Sequence, residues 1–145
     1  DRRAKPFVTL GYAYDETLEF VDWYAKVYRK RGYPGLFVGQ AYPDGRGKTS
    51  IIPVWVEQFG DEHFHHVAVR VEDIEIAIER LKAQGIVFAG KIVGAQGDQL
   101  RQIFSAPEMV GGHPFSVLEL AERHRGYRGF LPPQADSLMK SSTGR

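Results

Sequence analysis

The chain has 145 residues, enough to bury one sizeable core or two small ones, and it contains no cysteine, which excludes disulfides and thiolate metal ligands. Nineteen Lys and Arg against eighteen Asp and Glu leave a net charge of +1, so electrostatics recommend neither nucleic acid nor a membrane surface as a partner. The composition, 43% hydrophobic and 12% aromatic, is that of an ordinary globular protein. No apolar stretch approaches the roughly 20 residues of a membrane span, and the N-terminal DRRAKPFV lacks a signal-peptide pattern. The expectation is a cytoplasmic protein with no nucleic-acid or membrane partner.

In chain order, residues 6–14 (PFVTLGYAY) read as a strand, and Asp15 follows as a helix N-cap. Residues 16–31 carry Leu18, Val21, Tyr24, Ala25 and Tyr28 at helical spacing, which predicts a helix stopped by Gly32 and Pro34. Strands are expected at 36–42 (LFVGQAY) and 49–58 (TSIIPVWVEQ), with Pro53 marking the latter as an edge or bulge. The order then restarts. A strand at 63–71 leads to Asp73 as N-cap of a second helix, lined by Ile74, Ala77, Ile78 and Leu81 and closed by Gly85. Strand-like runs follow at 86–93, 99–105 and 115–122.

This order describes a shorter βαββ half-module at 1–60, a βαβββ module at 61–125, and a C-terminal segment at 126–145 that closes over the sheet. Aligned on Asp15 and Asp73, the halves are offset by 58 residues, a weak internal duplication carried by element order. No serine, histidine and acid arrangement stands in a recognisable context, so any catalysis is expected to depend on a metal.

Two strand-like runs hold the candidate ligands. In EHFHHVAVRVED, residues 62–73, alternation places His66, Ala68 and Arg70 on one face, with His63 and His65 on the opposite one. In PFSVLELAER, residues 114–123, Phe115, Val117, Glu119 and Ala121 share a face, so a carboxylate sits among apolar neighbours. Burying such a charge is costly unless a cation or hydrogen-bond donors meet it. The plainer reading makes His66 a satisfied sheet histidine and pairs Glu119 with Arg70 or Arg101.

Four stretches resemble the vicinal oxygen chelate superfamily, the glyoxalase, bleomycin-resistance and dioxygenase fold, and the second half is similar to the C-terminal module of 4-hydroxyphenylpyruvate dioxygenases. They are HHVAVRVEDI (65–74), LRQIF (100–104), SVLELAER (116–123) and GFLPPQADSLMK (129–140). The resemblance implies an α+β fold of paired βαβββ-type modules, forming a curved, partly open mixed sheet with helices outside. It implies His66 and Glu119 as metal ligands and Gln102, Phe130 and Gln134 as substrate-facing residues, with asparagine more usual at the last position. The bland alternatives for Gln102 and Phe130 are a plain strand glutamine and a C-terminal anchor packing on the sheet.

The implied cofactor is ferrous iron held by two histidines and one carboxylate, which leaves positions for a chelating 2-oxo acid and dioxygen. The expected activity is that of a non-haem iron dioxygenase-like enzyme with a small-molecule substrate. The chain departs from the pattern in one respect: residues 1–62 contain no histidine. The repeat offset puts Val8 where the other histidine belongs, so the third ligand falls to His63, His65, His113, a second chain, or nothing. A homodimer is expected, because the long first helix and the missing fourth strand of the first half leave a partner chain to complete the barrel. The alternatives are a metal-free module that binds a small ligand, or a glyoxalase-type isomerase or lyase using zinc or nickel, for which Glu57 is the available second carboxylate.

Overall fold

The computed structural model describes residues 2–61 and 63–143. The chain divides into two units, Asp1–Glu62 and His63–Arg145, each with its own sheet.

The first unit begins with a short helix, α1 (Lys5–Thr9), where a strand was expected, with Pro6 in its first turn. Three antiparallel strands follow: β1 (Ala13–Glu19), β2 (Trp23–Arg29) and β3 (Leu36–Ala41), paired in that order. The predicted helix over 16–31 is therefore a hairpin. Its apolar residues satisfy either period, but Thr17, Trp23, Tyr24, Val27 and Tyr28 are β-branched or aromatic and gain more from cross-strand pairing than from a helix face. Tyr14 and Tyr28 are register partners whose rings meet edge to face at 5.9 Å. Asp15, expected as a helix cap, is skipped by the register at a bulge between Tyr14 and Glu16, where it accepts from Arg29 Nε at 2.8 Å. At the hairpin turn Phe20 stacks on Trp23 at 4.0 Å, and the buried Asp22 accepts from Thr49 Oγ1 at 2.7 Å.

The segment 49–58 also differs from expectation, forming a helix, α2 (Ile52–Phe59). Pro53 lies in its first turn, where a missing N–H costs nothing because that group has no intrahelical partner. Trp55 is the buried residue of this helix, and Gly60 ends it at φ 85° by donating to Val56 O.

The second unit follows its predicted order more closely. Strand β4 (His66–Val71) leads to α3 (Ile74–Ala83), whose N-cap Asp73 accepts from Ile76 N at 2.9 Å. Strands β5 (Leu100–Phe104), β6 (Glu108–Val110) and β7 (His113–Arg123) come next, and α4 (Pro132–Ser141) ends the unit. The sheet is mixed: β7 is central, with β4 parallel on one side, β5 antiparallel on the other and β6 antiparallel at its start. The architecture is thus α+β with antiparallel and mixed sheets, as the sequence predicts at the level of fold class.

The run 86–93 forms no strand. It folds Phe88 and Ile92 onto the core formed by Ile74, Ile78, Ile103 and Leu120, and Val93 alone bridges to Gln102. Strand β6 falls between the expected strands at 99–105 and 115–122. Gly111 and Gly112, at φ 58° and 79°, supply the turn that pairs it with β7.

Candidate metal site

The register of three strands assembles one face of the second sheet. Glu119 on β7 lies opposite Ala68 of β4 and Phe104 of β5, while His66 lies opposite Val117 and Gln102 opposite Ala121. Since register partners share a face and alternate residues return to it, His66, Glu119, Gln102 and Phe104 point to the same side. Leu118, Leu120 and Ile103 point to the other, where α3 covers them.

Glu119 is 3% exposed and Gln102 1% exposed, so the polar groups between them are effectively out of water. Gln102 Nε2 donates to Glu119 Oε1 at 2.6 Å, and His66 Nε2 stands 3.2 Å from Glu119 Oε2. Gln102 Oε1 is buried and has no hydrogen-bond partner. The fully buried Phe104 ring lies 5.2 Å from the His66 ring and 5.9 Å from that of His65, forming an apolar wall beside the pair. A buried carboxylate and a half-buried imidazole converging beside an unpartnered amide oxygen form a donor set suited to a hard or borderline divalent cation.

The pairing of Glu119 with an arginine is not what the sheet builds. Arg70 is exposed on β4. Arg101 lies on the opposite face, where it donates to Glu75 at 2.9 and 2.5 Å and approaches Glu122 at 3.6 Å.

His65 was assigned by alternation to the face opposite His66. The strand begins only at His66, so alternation does not govern residue 65. Its ring turns inward instead: Nδ1 is 2.8 Å from His66 Nδ1, and Nε2 is 2.9 Å from Oγ of Ser142, a residue with no exposed surface. Burial first, then the neighbouring His66 and His63, push the His65 pKa down to about 3, so its ring is neutral at physiological pH. The HH doublet at a strand entrance was the available signal for His65. Nothing in the sequence marked Ser142, which comes into contact through tertiary packing.

The remaining candidates each have surroundings of their own. His63 Nε2 is hydrogen-bonded to Phe115 O, and its ring packs on Phe115 at 4.5 Å. His113 is exposed at the start of β7, and Glu57 is exposed on α2. Phe130 lies under the Arg123 guanidinium at 4.7 Å, with Arg123 Nη1 donating to Gly129 O at 2.6 Å. Gln134, in the first turn of α4, packs against the turn at Gly94, and its Oε1 is buried without a partner. Val8, the position that the repeat offset assigned to a second histidine, lies in α1.

Among the described residues, Asp73, Glu75 and Glu122 bring three ligand atoms within 4.8 Å of one another. Each already has a protein partner. Asp73 caps α3, Glu75 receives both Arg101 bonds, and Glu122 accepts from Ile74 N at 2.7 Å and lies 2.6 Å from His124 Nε2. With the Arg101 guanidinium in its midst, this cluster is accounted for as an ion-pair network.

Comparison with known proteins gives a consistent fold. The family model described as the Glyoxalase/Bleomycin resistance protein/Dioxygenase superfamily matches residues 9–110. No curated protein sequence matches the chain. Among solved structures, a hypothetical protein from Bacillus halodurans is similar at 19% identity and a TM-score of 0.63, covering 88% of this chain and 89% of that one. A variant of 4-hydroxymandelate synthase from Streptomyces coelicolor matches at 15% identity and a TM-score of 0.61, covering 92% of this chain but 46% of that one. The hydroxyglutarate synthase from Oryza sativa, solved with 2-oxoadipate, matches at 14% identity and a TM-score of 0.61, covering 97% and 74%. At these identities the structural likenesses carry the fold. Among the described residues, no helix is long and apolar enough to cross a membrane.

Proposed function

The chain belongs to the Glyoxalase/Bleomycin resistance protein/Dioxygenase superfamily, and on that premise we propose that it binds one divalent metal ion through His66 and Glu119 and uses it on a small chelating substrate. The observation that carries this reading is the convergence of His66 Nε2 and Glu119 Oε2, 3.2 Å apart, beside the Phe104 ring. Ferrous iron is the metal we assign. Bound there, it would supply a Lewis-acidic centre able to bind dioxygen and a 2-oxo acid. The reading of a 2-oxo acid as substrate draws support from the hydroxyglutarate synthase solved with 2-oxoadipate, a protein of similar fold.

The protein's own groups have separable roles in this reading. Gln102 holds Glu119 by one oxygen, so that the other is presented toward His66. Phe104 excludes water on one side. Gln102 Oε1 is available to a substrate hydroxyl or a bound water. Phe130 and Gln134 enter this reading as substrate-facing residues on the family resemblance alone. With no histidine in residues 1–62 and His63 engaged elsewhere, the second unit offers two protein ligands, and we assign the third to a second copy of the chain in a homodimer.

Anaerobic titration with ferrous iron, followed by metal analysis, tests the proposal. About one iron per chain or per dimer is expected in the wild type and none in His66→Ala or Glu119→Ala, with oxygen uptake on addition of 2-oxo acids. Wild-type protein that retains no iron, zinc or nickel under these conditions refutes it. A second reading, a metal-free module that binds a small ligand, is favoured by one specific observation: a single proton between His66 Nε2 and Glu119 Oε2 would also satisfy that contact. The same titration separates the two. Stoichiometric zinc or nickel with no iron would favour the isomerase or lyase alternative.

A further inference from the structure

The second sheet has two unlike edges. On one side β5 is wholly buried, and Val93 seals it by exchanging two backbone hydrogen bonds with Gln102, at 2.8 and 2.9 Å. On the other side β4 pairs with β7 alone among the described residues, and Val67, Ala68, Val69 and Arg70 are all exposed, Val67 at 64% and Val69 at 45%. Such an edge is ordinarily blunted by proline, a bulge or several charges. β4 (HVAVRV) has no proline or glycine, keeps an unbroken register with β7, and carries Arg70 but no lysine or carboxylate.

The free edge restricts what can pair with it. His65 O accepts from Val117 N at 3.1 Å, so the odd-numbered residues turn their peptide groups toward β7, while His66, Ala68 and Arg70 turn theirs outward. A second copy presents the same even positions, so an antiparallel two-fold pair must be centred on a residue. Centred on Val67, it sets Val69 against His65; on Ala68, His66 against Arg70; on Arg70, two arginines against each other. Like charges directly opposite one another are destabilising. Centred on Val69, the register pairs Val69 with itself and Val67 with Val71, a ladder of valines on one face. On the other face, which holds Glu119, it sets His66 opposite the exposed Glu72 of the partner subunit.

Building on the metal-site reading, on which the inference rests, we propose that β4 pairs antiparallel with β4 of a second copy about Val69, and that Glu72 of the partner subunit is the third metal ligand beside His66 and Glu119. Directly opposed residues have Cβ atoms about 4.5–5.5 Å apart, a gap that a glutamate side chain spans. Each dimer then holds two sites, each completed from across the two-fold axis. A second carboxylate beside the buried Glu119 is favourable only with a cation between them, so iron and dimer stabilise each other.

Sedimentation equilibrium and anaerobic titration with ferrous iron, on the intact chain, test this with wild type, Val69→Lys, Glu72→Gln, His66→Ala, and a mixture of the last two. Wild type is expected to be a dimer that iron tightens, with about one iron per chain. Val69→Lys opposes two positive charges at the axis and is expected to be monomeric, with no stoichiometric iron and an unchanged circular dichroism spectrum. Glu72→Gln and His66→Ala are each expected to lose the iron alone. Mixed, they should recover about a quarter of the wild-type iron, because half the dimers are heterodimers with one complete site each. Glu72 is exposed, so this complementation carries the test if Val69→Lys does not fold. A wild-type monomer in saturating iron, or Glu72→Gln binding iron within about threefold of wild type while His66→Ala does not, overturns the proposal and leaves the His66–Glu119 site standing. A wild type that binds no metal refutes the metal-site reading and the role of Glu72 with it, and dissociation of its dimer by Val69→Lys then upholds the strand pairing alone.

Discussion

Glu119→Gln separates the two tasks that a buried carboxylate can perform. Glu119 is 3% exposed, with one oxygen 2.6 Å from Gln102 Nε2 and the other 3.2 Å from His66 Nε2. Glutamine keeps the length, the acceptor for Gln102 and an amide N–H group toward His66. The exchange gives up a charge-assisted hydrogen bond of about 1.5–3 kcal/mol for a neutral one of about 0.5–1.5 kcal/mol. It also relieves carboxylate desolvation, which costs several kcal/mol per buried ion. In chelator the variant is therefore expected to be as stable as wild type or more stable by about 1 kcal/mol. Metal reverses the order: at a free concentration of 100 Kd the wild type gains about 2.7 kcal/mol and the variant gains nothing. Urea unfolding followed by circular dichroism, in chelator and in anaerobic ferrous iron, supplies all four values. A loss of about 2 kcal/mol or more in chelator, with equal metal stabilisation of both proteins, would show Glu119 to be a structural acceptor and refute the reasoning.

Three further outcomes follow from the second unit. Gly94 sits at φ +97° with Leu100 O 2.5 Å from where a Cβ would stand, so Gly94→Ala is expected to cost about 2 kcal/mol or more; an unchanged urea midpoint would show that the turn relaxes freely. Leu120, 2% exposed against Ile74, Ile78 and Ile103, is expected to cost about 2–5 kcal/mol as Leu120→Ala, read from the same unfolding curves. The Arg101 side-chain hydrogen bonds hold the Glu75 carboxyl below its ordinary pKa of 4.5, so the folded state binds that proton less readily than the unfolded chain. Its stabilisation is complete above that value and lost as pH falls through the folded pKa. Thermal unfolding between pH 3 and 7 should show a shallower acid decline in Glu75→Gln, and superimposable profiles would contradict this.

In the second unit the signals were local and agreed with each other. Asp73 caps a helix whose apolar stripe, Ile74 and Ile78, meets the sheet it was expected to meet, and the alternation around Glu119 placed the carboxylate on the correct face. In the first unit they conflicted. Leu18, Val21, Tyr24, Ala25 and Tyr28 satisfy a helical period, yet the same stretch pairs as a hairpin because its aromatic and β-branched residues find partners across the strands. Pro53 was read as a strand edge, and the identical chemistry, a residue with no N–H to donate, also suits the first turn of α2.

The sequence by itself determined the residue types of the candidate site, His66, Glu119 and Gln102, and the strand face of the first two, because strand alternation is a local property of the backbone. Only the tertiary structure decided which of them meet. The parallel β4–β7 and antiparallel β5–β7 registers bring Glu119 between His66 and Gln102, and the packing of the C-terminal segment brings Ser142 to His65 across 77 residues of chain. Those contacts follow from burying apolar surface on both sides of one sheet, an energy summed over the whole unit that no short stretch of residues encodes.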